Sequence, residues 1–308
     1  DRDLLTDEMS AEWFEKKIDW LKQYETDNQP FFIATGFIRP HTPLVVPKKY
    51  YDKFPLDKVI ISEKSKDDLN DTKFYENKET RGHKAWRLLC DGYGSEDKGL
   101  RIFTQAYLAS INFIDEMVGK VLDALDNSNY SKNTIVILFS DHGYFLGQKD
   151  HLWKYNLWEE TTRVPLIIRH PDNDKNAGKV VNHPVSLIDI FPTISDYCSL
   201  EGTTLKNQKG KKPNGFSLRP FVETPDLKKW YGPKEALTVV SSWKSKLPEK
   251  QHLAIRTDRY RYIKYFDGSE ELYDHKIDDN EWKNLISDKN YEKVLDEMRK
   301  RLQKSINS

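Results

Sequence analysis

A chain of 308 residues has room for a real core and for one large domain or two smaller ones. Its 49 basic and 49 acidic residues cancel and are interspersed, so no global field points to nucleic acid. With 37% hydrophobic residues and a mean hydropathy of −0.77, it holds no apolar run near the ~20 residues a membrane helix needs.

The chain opens at Asp1 as DRDLLTDEMS, with neither an initiator Met nor the basic and apolar regions of a signal peptide, and reads as an internal start. Residues 10–25 predict an amphipathic helix: Ser10 caps it, Phe14, Ile18 and Leu21 with Trp13, Trp20 and Tyr24 form its apolar face, and Asp27, Asn28 and Pro30 end it. Phe31 to Thr35 predicts a short strand. In the loop over residues 36–47 that follows, Pro40 and Pro43 flank His41 and stiffen the backbone. A loop histidine is usually just solvated, but rigid prolines after a strand end make His41 a candidate for facing a ligand.

From Leu56 to Gly99 the chain is rich in Lys, Asp, Asn and Glu, with only scattered Trp86, Leu88, Leu89 and Tyr93, and predicts a long surface excursion with one short helical turn. Cys90 in this stretch and Cys198 lie in no CxxC or CxPxR context, which excludes a zinc knuckle or redox pair and leaves open one disulfide or two ordinary thiols. Leu100 to Leu125 repeats apolar residues every three or four positions and predicts a long helix. Thr134 to Phe139 is an unbroken β-branched and apolar run, which predicts a buried parallel strand. Asp141 and His142 follow at its C-terminal end, where open α/β sheets bind ligands. The pair is a candidate metal or catalytic site, and equally a capped strand end leading into a turn at Gly143.

Trp158 to Thr162 predicts a helical turn, Val164 to Arg169 a strand, and Val185 to Tyr197 a helix capped by Ser186. This alternation implies a parallel sheet covered on both faces. Residues 202–215 form a polar, Lys-rich connector. Short strands at Ala236–Val240, His252–Arg256, Tyr260–Phe266 and Glu271–Tyr273 then predict an antiparallel meander, and Tyr291, Val294, Leu295, Met298 and Leu302 a closing helix.

Taken together, Arg39-Pro40-His41-Thr42-Pro43, Ser140-Asp141-His142-Gly143, Lys154 and Arg163-Val164-Pro165-Leu166 stand in an order that resembles the sulfatase family, most of all its iduronate-2-sulfatase-like branch. The segments SLIDIFPTI at 186–194, ELYD at 271–274 and Asn284-Leu285 agree, so the likeness covers nearly the whole chain apart from 56–99. It implies an α/β fold, an incomplete alkaline-phosphatase-like α/β/α sandwich over residues 1–205, with 56–99 as the surface excursion. A small C-terminal α+β subdomain with an antiparallel sheet would follow over 206–308. The family's C/S-x-P-x-R motif, whose Cys or Ser becomes a formylglycine nucleophile, has no counterpart here, nor do its N-terminal pair of metal aspartates or its Gly-x-Trp-His-like segment. The chain therefore reads as the C-terminal part of a sulfatase, with the N-terminal portion as its missing partner and little activity alone.

The resemblance also assigns roles. Asp141 and His142 would help hold one divalent cation, Ca²⁺, although imidazole itself suits transition metals better. Lys154 would place an ammonium on the sulfate, and His41 would hydrogen-bond the sulfate or act as general acid. Tyr144, Lys149 and His151 lie on the same loop as candidate contacts to the rest of the substrate, and Trp86, Trp153 and Tyr155 as candidates to stack on a sugar ring. The implied substrate is a sulfate ester, on a small molecule or a carbohydrate such as a sulfated glycan, with no nucleic acid and no membrane span involved. Family members are commonly exported to the periplasm, the lysosome or the cell exterior. Two other readings compete: a phosphatase or phosphodiesterase of the same superfamily, with zinc and further ligands from His151, His170 and His183, and a catalytically inactive fragment or binding module.

Overall fold

The structure, a computed structural model, describes residues 2–23, 30–72, 80–200 and 214–307. The chain forms two compact units, one of residues 1–63 and 86–135, the other of residues 64–85 and 136–308.

The first unit is helical, with α1 (Thr6–Gln23), α2 (Lys48–Tyr51), the later turns of α3 (Arg81–Tyr93) and the long α4 (Glu96–Asp126). Helix α1 begins before Ser10, which lies inside it and caps nothing. Glu8 sets the start, its carboxylate accepting the Leu5 N–H at 2.8 Å while Asp7 and Glu8 place negative charge at the positive end of the helix. The predicted end of this helix, with Tyr24, Asp27 and Asn28, lies outside the described residues. Ala11 packs with Ala109, Phe113 and Met117 of α4 and with Val46 and Tyr50, so the stripe read over 100–125 is a buried face. Ser95 caps α4, its hydroxyl oxygen accepting the Lys98 N–H at 3.1 Å.

Two expectations are corrected in this part of the chain. Phe31 to Thr35 forms no strand, because an extended segment becomes one only with a ladder partner, and none of the described residues pairs with it. The excursion over 56–99 contains a full helix, α3. Its apolar residues Trp86, Leu89, Cys90 and Tyr93 are not scattered but recur at helical spacing, and Trp86 is buried.

The second unit carries β1 (Val136–Phe139), β2 (Phe145–Leu146), β3 (Leu152–Trp153), α5 (Glu159–Thr162), β4 (Leu166–Arg169), α6 (Ile190–Tyr197) and α7 (Arg219–Glu223). After these come β5 (Ala236–Val240), β6 (His252–Arg256), β7 (Tyr260–Lys264), β8 (Glu270–Asp274) and α8 (Glu292–Asn307). The buried parallel strand expected at 134–139 is corrected: β1 pairs antiparallel with β4, Val136 opposite Arg169 and Phe139 opposite Leu166, and Phe139 is 48% exposed. An apolar run specifies a strand but not its partner's direction, which here follows from the chain reversing between the two. Ser186 does open the next helical segment, its N–H donating to Asp189 at 2.8 Å ahead of α6. The connector after residue 200, and with it the boundary placed at 205/206, lies outside the described residues.

Strands β5 to β8 form the antiparallel meander in sequence order. Alternation along the strands sorts its side chains onto two faces. One face gives Leu253, Ile255, Tyr262 and Leu272 to Leu295, Met298 and Leu302 of α8. The opposite face gives Ala254, Ile263, Tyr265 and Tyr273 to Phe145, Leu157 and Trp158, and so anchors the segment that runs on from Asp141 and His142. Both cysteines are free thiols.

Candidate active site

The segment following β1 is stitched down by its own backbone. Gly143 N–H donates to Thr161 C=O and Tyr144 N–H to Glu160 C=O, each at 2.9 Å. A Cβ on residue 143 would sit 2.0 Å from the Glu160 carbonyl oxygen, so glycine is required by close approach and not by turn conformation. The chain then forms the short β2–β3 hairpin, Phe145 opposite Trp153 and Leu146 opposite Leu152. Four non-glycine residues here hold left-handed backbone: Lys149 (φ 49°), Asp150 (φ 47°), Trp153 (φ 76°) and Tyr155 (φ 70°). Such conformations cost of order 1–3 kcal/mol each and persist where the surroundings over-determine them, often at ligand sites.

On this frame three of the residues singled out from the sequence come together. His142 Nδ1 lies 2.8 Å from the Gly143 carbonyl, which only accepts, so Nδ1 carries the hydrogen. Nε2 therefore keeps its lone pair, and takes a hydrogen bond from Lys154 Nζ at 2.6 Å. Asp141 Oδ2 is 3.6 Å from the same Nε2, and its side chain is 83% exposed. A carboxylate oxygen and an imidazole lone pair side by side repel unless positive charge lies between them. Lys154 brings positive charge to the imidazole lone pair, and a divalent cation suits the same donor pair. With only two donors the pair makes part of a coordination shell. Lys154 also lies 5.8 Å from the centre of the exposed Tyr155 ring.

Lys149 and His151 point the other way. Lys149 is 2% exposed, its ammonium 2.5 Å from Asp68 Oδ1 and donating to the Glu281 carbonyl at 2.6 Å. His151 is buried against Phe145 and edge-on to His83, and burial with the His83 ring alongside holds it down to about 3. Both brace the loop from behind. So does Trp158, whose indole N–H donates to Glu271 at 2.8 Å, a carboxylate that burial pushes up and that also accepts from Tyr265 and Tyr273. Arg261 donates to Leu157 C=O at 2.9 Å and pairs with Glu159. Asp68, Arg261, Glu271 and Glu281 form this support, and sequence reasoning missed all four. For Arg261 and Glu271 the signal was a charged residue inside a strand of otherwise apolar and aromatic character; Asp68 and Glu281 lie outside any helix or strand and carried none.

His41 belongs to the other unit, exposed, with Nδ1 2.6 Å from the Thr42 carbonyl. It uses the same device as His142, one nitrogen fixed by the next carbonyl and Nε2 left for a partner. Asp7, buried in the first turn of α1, accepts the Ile38 N–H and so ties down the segment leading to His41.

Another group of metal-ligating type, Glu159, His275 and Glu281, brings three ligand atoms within 4.8 Å. Its charges are already spent. Arg261 and Arg256 pair with Glu159, Arg261 and His275 with Glu281, and although burial pushes Glu159 up, the two guanidiniums outweigh it and hold it at about 2. Two fixed guanidiniums leave no electrostatic room for a dication, so this cluster is an internal ion network.

The family profile described as Sulfatase matches residues 4–199, and that described as N-sulphoglucosamine sulphohydrolase, C-terminal, matches residues 141–308. A sulfatase from Formosa agariphila is 35% identical over 98% of this chain and 54% of its own length. Mouse iduronate 2-sulfatase is 26% identical over 84% of this chain and 56% of its own. The chain thus spans about half the length of the curated relatives it matches. Among solved structures, one in complex with its substrate D-glucosamine-2-N,6-O-disulfate superposes with a TM-score of 0.72 at 21% identity, over 96% of this chain and 69% of its own. A phosphonate monoester hydrolase from Silicibacter pomeroyi superposes with a TM-score of 0.75 at 22% identity, over 94% of this chain and 58% of its own. At such identities the superpositions establish the fold, the alkaline-phosphatase-like one anticipated from the sequence. The profile matches, which between them run from residue 4 to residue 308, and the 35% identity carried along nearly the whole chain establish the rest: this chain belongs to the sulfatase family, whose members bind a divalent metal.

Proposed function

We propose that the protein to which this chain belongs hydrolyses sulfate esters on a carbohydrate such as a sulfated glycan, with a formylglycine nucleophile outside these 308 residues. The observation that carries this reading is the convergence of Asp141 and His142, which follow β1, with Lys154, which stands between the left-handed Trp153 and Tyr155. Asp141 and His142 Nε2 are the ligands this chain offers to a divalent cation, taken as Ca²⁺ from the family and not from the ligand types. When bound, it supplies positive charge to a sulfate oxygen. Lys154, released from His142, donates to a second sulfate oxygen and neutralises charge that grows as the S–O bond breaks. His41, in the other unit, has Nδ1 fixed by the Thr42 carbonyl and Nε2 left for a partner, and from the family resemblance it is taken as the candidate general acid, a role worth ~10²–10⁴-fold. The exposed Tyr155 borders the same loop as Lys154 and is the residue offered to the remainder of the substrate, whereas the Tyr144 hydroxyl is buried. Relatives and neighbours acting on iduronate and glucosamine sulfates support a sugar substrate, and the family's habit supports export; among the described residues no helix is long and apolar enough to cross a membrane.

Turnover of an aryl sulfate tests this directly. The longer protein is expected to be active, this chain alone inactive, and Lys154→Ala in the longer protein strongly impaired; turnover by the 308 residues alone overturns the placement of the nucleophile. The likeness to a phosphonate monoester hydrolase favours a second reading, esters of phosphorus. A larger kcat/KM on an aryl phosphonate or phosphate than on the sulfate, or two tightly held zinc ions, selects it.

A further inference from the structure

Strand β5 ends at Val240 opposite His252, and the connection between β5 and β6, residues 241–251, is built rather than merely spanned. Ser242 and Gln251 are buried beneath it. Ser242 N–H donates to Gln251 Oε1 at 3.0 Å and its hydroxyl to Lys250 C=O at 2.6 Å, while Gln251 Nε2 donates to the carbonyls of Ser245 and Leu247, each at 2.8 Å. Side chains thus supply the loop with a hydrogen-bonded interior.

On that frame stands Trp243, at φ 58°, a left-handed conformation that bulky residues rarely adopt. Its N–H donates to Ser241 Oγ at 3.2 Å, and its side chain is 86% exposed, whereas Trp158 and Trp86 are buried. Asn or Gly would fit this backbone without strain, so the residue that stands here is one that resists both the conformation and the solvent. Lys244 and Lys246 follow it, both exposed.

We propose that this loop is a binding subsite for a sulfated polysaccharide. The indole offers a flat apolar face to the C–H face of a sugar ring, and Lys244 and Lys246 offer cations to sulfates on the same chain. Charge complementarity selects this occupant. Protein interfaces enrich aromatic residues and Arg but deplete Lys, and membrane-binding surfaces need a broad contiguous apolar face, whereas an exposed indole followed by two exposed lysines, in a loop whose one carboxylate, Glu249, lies further on, matches a ligand that alternates apolar ring faces with fixed anions. The choice of a sulfated polymer rests on the sulfated-carbohydrate reading of the site, but binding here is measured without turnover.

Affinity electrophoresis of this chain through gels containing heparin, chondroitin sulfate or a sulfated galactan, each beside its desulfated form, tests the proposal. Retardation by at least one sulfated polymer and not by its desulfated form is expected. Trp243→Ala should raise that Kd about tenfold or more, Trp243→Phe should retain most of the affinity, and the double variant Lys244→Glu/Lys246→Glu should remove the salt-dependent part. All three variants should melt as the parent does. Retardation by none of the polymers, equal retardation by desulfated forms, or an unchanged Kd in Trp243→Ala overturns the subsite. If the longer protein turns over aryl sulfate while Trp243→Ala binds normally, the subsite alone fails. If the longer protein turns over no sulfate ester while Trp243→Ala loses binding, the subsite stands and the reading of the active site fails.

Discussion

Two charge clusters in the second unit use nearly the same side chains and do opposite things with them. Lys149 and Asp68 are 2% and 4% exposed and meet at 2.5 Å, and Lys149 spends a further hydrogen bond on Glu281. A little further along the loop, Lys154 meets His142 at 2.6 Å beside an Asp141 that is 83% exposed. The first cluster is closed: its ammonium sits with a carboxylate and a carbonyl and is almost wholly withdrawn from solvent. The second is open, because Asp141 has most of its acceptor capacity unspent and the Lys154–His142 bond joins a donor to a lone pair that a cation suits equally well. One cluster holds the fold and the other is available for chemistry, and burial rather than residue type makes the distinction.

The sharpest way to break that comparison is to open the closed cluster. Asp68→Ala leaves the Lys149 ammonium buried without its counter-charge, which costs about 3–5 kcal/mol in comparable cases. Urea unfolding of the chain reads this as a large fall in midpoint. The double change Asp68→Leu/Lys149→Met removes both charges together and is expected to recover most of the loss. If Asp68→Ala stays within about 1 kcal/mol of the parent, the closed cluster is not holding the fold and the contrast collapses.

Second in size is the open cluster, read by activity. Lys154→Ala in the longer protein should lower kcat/KM for an aryl sulfate by about 10²–10³-fold, the range for removing one group that stabilises developing charge. Its stability should remain within about 0.5 kcal/mol, since the side chain is only partly buried and its partner stays hydrated. A large stability loss with little kinetic effect would place Lys154 among the structural lysines instead.

The sequence made the open cluster legible and hid the closed one. Asp141 and His142 were readable because they stand just after an apolar run and before a glycine, and the meander because period-two alternation sorted Leu253, Ile255 and Tyr262 from Ala254 and Ile263. What supports the loop was not readable. Lys149 lies five positions before Lys154 in a chain where lysine is common, and no local pattern says that one is buried and the other open. That depends on Asp68, Arg261 and Glu271, contributed by segments far off in sequence. For the same reason β1 was recognised as a strand but not as antiparallel to β4, and Phe31 to Thr35 looked like a strand with no partner to make it one. Local chemistry was visible; pairing at long range was not.

A smaller effect separates the two sides of the loop by pH. His151 is held at about 3 against an ordinary value near 6.5, by burial and by the neighbouring His83 ring. The unfolded chain therefore takes up a proton on this residue that the folded chain refuses. The stability it represents is fully present above pH 6.5 and is lost as pH falls toward 3, at about 1.4 kcal/mol per pH unit. Glu159, held at about 2 against an ordinary 4.5, adds its own loss only below pH 4.5, but buried carboxylates that burial pushes up, Glu271 among them, titrate above 4.5 with the opposite slope, so the histidine's share is read as the difference between the parent and His151→Gln. The His151 contribution should be about 1 kcal/mol smaller at pH 5.5 than at pH 6.5, where the unfolded imidazole is already half protonated, and His151→Gln should flatten the slope by that amount even though its packing defect lowers the whole curve. An unchanged slope in the variant would assign the acid sensitivity elsewhere.

The smallest expected effect concerns the cation itself. Asp141 and His142 offer two ligands where a calcium ion takes 6–8. A site so incomplete has a dissociation constant well above the millimolar range, and 1 mM calcium against a constant of about 10 mM stabilises the folded chain by less than about 0.1 kcal/mol. The melting temperature of this chain should therefore not respond to millimolar calcium, and Asp141→Ala should melt like the parent, because a carboxylate 83% exposed contributes little to the fold. A rise of several degrees that Asp141→Ala abolishes would mean that the open cluster is already a complete metal site, with further ligands drawn from the second unit. The difference between the two clusters would then lie in what each one binds, and no longer in whether its bonding capacity is filled.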